Sequence, residues 1–158
     1  MAEMSLNKKI CIPTLILILI FLGFVRDFVF VQTNIIMYNK WSNSDYPFHP
    51  FMNWINQFDY WFLYRSKWFL TLFFITLYLG ISYLLTKMIF NHRQITKILI
   101  LLFSILIFLS GLSFLLGWIF NNLEEGYAFS RMFVGIIQSP VPVMLIIPFG
   151  LYYKQTEK

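Results

Sequence analysis

Apolar residues run almost unbroken along four stretches of the chain: Ile10 to Val31, Trp68 to Phe90, Ile98 to Phe120 and Ser130 to Tyr153. Each approaches or exceeds the roughly 20 residues that a helix needs to cross about 30 Å of hydrocarbon. The connections NHRQITK and NNLEEGYAF are too short to hold domains of their own. The pattern therefore predicts an all-α membrane protein, a single four-helix transmembrane domain over residues 1–158 with sequential helices antiparallel.

Only residues 32–67 leave room for structure outside the spans. This segment opens on the turn-rich YNKWSNSDYPFHP, where Pro47 and Pro50 interrupt regular structure. Phe51, Trp54, Ile55, Phe58, Trp61 and Phe62 then recur at helical spacing, with Asn53, Asn56, Gln57 and Tyr60 on the opposite side. Pro50 suits a first-turn position. The expectation is an amphipathic helix lying on the outer leaflet between spans 1 and 2, its rings settled at headgroup depth. Trp54, Phe58 and Trp61 serve either as an interfacial anchor or as a shelf for a partner or a lipid-embedded substrate.

Composition sharpens the assignment. Residues of hydrophobic type make up 59% of the chain and charged ones only 12%, against about 25% charged in a water-soluble domain. Lys8 and Lys9 before span 1 raise the possibility of a signal peptide, but the apolar run continues through FVRDFVFVQTN without a small-residue cleavage site. An uncleaved anchor is expected. If all four spans cross, Lys8, Lys9, Lys87, Arg93, Lys97, Lys154 and Lys158 share one side and Lys40, Arg65 and Lys67 the other. Seven basic residues against three place both termini in the cytoplasm. No basic patch interleaved with stacking aromatics lies outside the spans, so no nucleic-acid partner is expected and membrane lipid is the expected surrounding.

The fourth span is unusual. Pro140, Pro142 and Pro148 each remove an N–H, so the carbonyls of Ile136, Gln138 and Met144 lose their usual helical donors. Lipid cannot replace them, and Gln138, Ser139 and neighbouring helices must. Such a span is a kinked packed helix, a broken helix lining a substrate or ion path, or a groove for another protein's helix. Arg26 and Asp27 lie in the outer third of span 1, and Arg131 opens span 4 after Glu124 and Glu125. They pair structurally, Asp27 with Arg131 and Arg26 with Glu124 or Glu125, or they hold an anionic headgroup or a peptide carboxylate. Small residues in span 3 (Ser110, Ser113, Gly117) and in span 2 (Thr76, Gly80) read as packing seams.

Catalytic constellations are missing from the sequence. Cys11 and His92 share a side without anything to fix their geometry, His49 is on the other side, and only Asp27 is an acid within a span. Two histidines on opposite faces do not start a metal site. No cofactor or metal is implied, and the chain is expected not to be an enzyme.

YRSKWFLTLFFITLYLG and, above all, YAFSRMFVGIIQSPVPVMLIIPFGLYY resemble the small four-span membrane proteins that accompany exosortases in bacterial protein-sorting systems. The shared pattern is an aromatic and an arginine, an apolar stretch with a QSP-like element, and a proline before a terminal aromatic pair. Arg131 and the Gln138, Ser139, Pro140 element match it. The resemblance implies a non-enzymatic accessory subunit in the bacterial inner membrane, beside an exosortase-like membrane protease. The alternative is a small transporter or lipid-handling protein with a pathway along the proline-broken fourth helix.

Overall fold

The computed structural model describes residues 6–156; Lys158, counted above among the cytoplasmic charges, lies outside them. The regular structure of the described residues is all helical: α1 (Leu6–Ser42), α2 (Tyr60–Phe90), α3 (Arg93–Ile119), α4 (Leu123–Ile137) and α5 (Val141–Thr156), with two 3-10 turns at Pro50–Met52 and Ile55–Gln57. Three helices, α1 to α3, are long and apolar enough to cross a membrane, and α4 with α5 makes a fourth candidate if the bent pair is one span. Several long apolar helices thus mark a membrane protein.

The first three helices share one local feature at their ends. Asn43, Asn91 and Asn121 follow their ends with φ of 50°, 48° and 57°, and asparagine tolerates this left-handed conformation better than other residues with a side chain. After α3 the closure is complete: Asn122 N–H donates to the Gly117 carbonyl (2.8 Å) and Asn121 N–H to that of Trp118 (3.3 Å). These bonds satisfy carbonyls that helix ends otherwise leave open.

The chain divides into two compact units, the cuts falling inside α1 and α2. Residues 21–74 form one unit. Its helices run well past the apolar stretches, so the loop shrinks from the expected 32–67 to 43–59. The continuous amphipathic helix expected after Pro50 is replaced by the two 3-10 turns and the beginning of α2. Pro50 does take the first-turn position, in the first 3-10 turn, where the Phe51 N–H donates to His49 Nδ1. The helix fails to continue because Phe58 is extended (ψ 148°) and Asp59 starts a new one, its carboxylate accepting from the Trp61 N–H. Met52 and Ile55 are buried with Ile36, Met37 and Leu63 as a small core. Phe51, Trp54, Trp61 and Phe62 stay exposed.

Polar pins hold this loop to α1. Asn39 exchanges two hydrogen bonds with the backbone of Tyr46, and the His49 N–H donates to Gln32 Oε1 at 2.7 Å. The Lys40 ammonium reaches the Asn56 carbonyl at 2.8 Å. Lys67 donates to Asn34 Oδ1 at 2.7 Å, tying α2 to α1.

The other unit comprises, among the described residues, 6–20 together with 75–156. Its tightest feature is the α3/α4 hairpin. Helix α4 begins at Leu123, seven residues before the expected span, and brings Gly126 onto Gly117. A Cβ on Gly117 would stand 2.6 Å from the Gly126 Cα, so only glycine lets the backbones meet. Further along the seam the Ser110 and Ser130 hydroxyls are 2.8 Å apart. The span 3 seam is therefore real. In span 2 the expectation fails at Gly80, which faces open space because the buried face of α2 runs through Tyr78, Ser82, Leu85 and Thr86. Gly150 of α5 completes the packing, seated against the Phe90 ring.

Candidate functional site

Broken spans are built from backbone groups that cannot bond within one straight helix. Here α4 and α5 meet at 55° across Gln138, Ser139 and Pro140. At 1.5 Å per residue the halves are about 22 and 24 Å long, so neither alone crosses about 30 Å of hydrocarbon. Ser139 manages the break from both sides. Its hydroxyl donates to the Ile136 carbonyl at 2.6 Å, replacing the N–H that Pro140 lacks, and accepts from the Val141 N–H at 3.3 Å. The Pro140 carbonyl then starts α5, accepting from the N–H groups of Val143 and Met144 at 3.1 Å. Pro142 sits in the first turn of α5, where its missing donor costs little.

Gln138 closes α4, its N–H donating to the Val134 carbonyl at 2.9 Å. Its side chain is only 1% exposed. A carboxamide is an expensive group to bury and in such places is held by hydrogen bonds. Arg131, two turns earlier on α4, is exposed, as are Glu124 and Glu125 in the first turn of α4, where their charge complements the helix dipole.

The same unit buries polar groups that the sequence pattern did not single out. Tyr78, Ser82 and Thr86 stand at i, i+4 and i+8 on α2, each fully buried. The Tyr78 hydroxyl donates to the Leu19 carbonyl at 3.2 Å. The Ser82 and Thr86 hydroxyls have no hydrogen-bond partner among the described residues. The signal was present as a four-residue spacing of hydroxyls, but the apolar residues between them masked it.

In residues 21–74, Arg26 donates to Asp27 Oδ1 at 2.8 Å and lies 5.7 Å from the centre of the Phe30 ring. The acid–base contact shown by Asp27 is thus with its chain neighbour. Arg131, Glu124 and Glu125 belong to the other unit. Trp54, Phe58 and Trp61 do not form one helical stripe. Trp54 meets Phe58 edge-on at 6.4 Å, Phe58 stacks on Phe62 at 4.6 Å, and Trp61 joins Tyr60 and Tyr64 edge-on. The result is two adjoining ring clusters at the start of α2, both open to the surroundings.

His49 and His92 serve structure where the contacts are visible. The first caps a turn and packs edge-on against Phe28 at 5.4 Å; the second packs against Tyr153 at 5.8 Å. Cys11 is half-buried on α1. Among the described residues no three His, Cys, Asp or Glu side chains converge. Comparison of the chain with protein-family models, with curated proteins and with solved structures finds no match.

Proposed function

We propose that the chain is a non-enzymatic integral membrane subunit that assembles with a membrane-embedded protease of the exosortase type, in the bacterial inner membrane. In this reading α4 and α5 make one broken fourth span, both termini are cytoplasmic, and the loop aromatics rest at the outer interface. The observation that carries it is the break at Gln138, Ser139 and Pro140. The residues that bear the resemblance to exosortase-associated proteins are the ones on which the fourth segment turns. A bent, two-part helix offers a partner an irregular face that a straight span lacks, and the exposed Arg131, Trp54, Phe58 and Trp61 supply polar and aromatic contacts of the kind found at interface centres.

Co-purification from mild detergent with an exosortase encoded in the same cells is the expected result. Recovery of the chain free of any such protein from native membranes rejects the assignment.

One observation favours a second reading, a small transporter or lipid-handling protein. Gln138, Ser82 and Thr86 put buried polar groups in segments that lie within candidate spans, and intramembrane polar residues commonly mark pathways. In a Cys11→Ser background, Gln138→Cys then reacts with a membrane-impermeant thiol reagent. A subunit whose break is sealed by packing leaves that cysteine unlabelled.

A further inference from the structure

Helices α2, α3 and α5 come together at one end of the unit that contains residues 75–156. There the Phe90 ring lies against Gly150, the Tyr153 hydroxyl donates to Gln94 Oε1, and His92 packs on Tyr153. Within one helical turn of these contacts along the chain stand Lys87, Arg93, Lys97 and Lys154, all exposed. Arg93, Lys97 and Lys154 make no hydrogen bond or ion pair among the described residues, and the Lys87 ammonium lies over the Tyr83 ring at 5.9 Å. The described acids of this unit, Glu124 and Glu125, follow the far end of α3, whose 27 residues extend about 40 Å. Glu157, close to this end along the chain, is followed by Lys158, so the balance stays strongly positive.

Three of these cations each end a strip of exposed apolar surface. Leu84 stands three residues before Lys87, Ile100 three after Lys97 and Leu151 three before Lys154, and residues three apart share a helix face. On α3 the line runs on, Leu101, Lys97 and Arg93 following at intervals of four. Two like charges at that spacing repel each other, and α3 has no acid in its first turn to offset them. An anion between them does. A water-soluble acidic partner would meet only the charged tips, whereas an anionic phospholipid matches the whole strip, chains on the apolar part and phosphate on the cations.

We propose that this end of the molecule is a binding surface for an anionic phospholipid, with the phosphodiester held by Arg93 and Lys97, Lys154 beside them, and an acyl chain along Ile100 and Leu101. The bond between Tyr153 and Gln94 ties the end of α5 to the start of α3, so Lys154 keeps its place relative to Arg93 and Lys97. The planar guanidinium of Arg93 suits two oxygens of one phosphate, and Lys97 adds a mobile charge nearer the hydrocarbon. The surface depends neither on the partner proposed above nor on which side of the membrane this end faces.

The test uses the full chain in mild detergent, titrated with phosphatidylglycerol or with phosphatidylcholine of the same acyl chains, and native mass spectrometry reads the lipid retained. Phosphatidylglycerol is expected to be retained several-fold more strongly. Arg93→Gln with Lys97→Gln brings it down to the phosphatidylcholine level, while Arg65→Glu, which changes the net charge by the same amount at an exposed site in the other unit, leaves the preference intact. Phosphatidylcholine retention stays constant throughout and reports that each variant is folded. Equal retention of the two lipids by the unaltered chain overturns the proposal, as does an equal loss in Arg65→Glu, which makes net charge the cause. Displacement of phosphatidylglycerol by inorganic phosphate or by an oligoglutamate peptide at the same concentration overturns it too, the first by assigning the cations to free phosphate and the second to an acidic protein segment.

Discussion

Gly117 and Gly126 face each other so closely that a methyl group on Gly126 would stand 2.5 Å from the Gly117 Cα and 3.0 Å from the Ser113 carbonyl oxygen. Backbone is what it would strike, so no side chain can swing away. Gly117→Ala or Gly126→Ala is expected to push α3 and α4 apart and cost about 1–3 kcal/mol, as overpacking does. Gly111→Ala, in open space, is expected to change stability by less than about 0.5 kcal/mol. Unfolding in mixed micelles with increasing SDS measures all three.

Ser139 predicts a second effect. Its hydroxyl serves the Ile136 carbonyl and the Val141 N–H together, so Ser139→Ala removes both bonds. A loss of about 1–3 kcal/mol is expected from the stranded groups. Pro140→Ala with Pro142→Ala restores two donors and is expected to straighten the 55° bend. Spin labels at Tyr127→Cys and Tyr152→Cys, in a Cys11→Ser background, then report a longer distance. An unchanged distance shows that tertiary packing, not proline, holds the angle.

The Ser82 and Thr86 hydroxyls lead to an expectation of opposite sign. Both are fully buried without a partner among the described residues. Ser82→Ala and Thr86→Val discard an unsatisfied group while nearly keeping its shape, so each is expected to be neutral or slightly stabilising in the same SDS titration. A marked loss of stability instead means that these hydroxyls hold something.

Arg26 and Asp27 are adjacent on α1 and bonded at 2.8 Å. Reversing either alone puts two like charges side by side within a candidate span, and lower recovery of membrane-inserted protein is expected. The double exchange Arg26→Asp with Asp27→Arg is expected to restore it. Failure of the exchange shows that one of the two charges answers to a different group.

Much of the helical architecture could be read from apolar run length, because hydrocarbon thickness sets that length and the chain must obey it. The break in the fourth segment was equally readable, since proline removes specific donors at known positions. Element ends were not. Helix α1 runs to Ser42 because Tyr38, Asn39 and Lys40 are held by partners in the loop, contacts that no local pattern announces. The aromatic periodicity from Phe51 to Phe62 looked helical, yet burial of Met52 and Ile55 and capping by Asp59 divided it. Of the candidate site, Gln138 and Ser139 were visible as polar residues among apolar ones. The row Tyr78, Ser82 and Thr86 was not, because hydroxyls in an apolar helix ordinarily turn back to their own backbone.

Asn91 and Asn121 end α2 and α3 through backbone bonds, to the Lys87 and Trp118 carbonyls, and a tolerated left-handed dihedral. Punctuation of this kind travels with the nascent chain. Helices α2 and α3 can acquire their final length while leaving the ribosome and entering the bilayer, without waiting for a companion to define where they stop. Assembly is then left with a single task, bringing finished rods together along seams such as the one between Gly117 and Gly126.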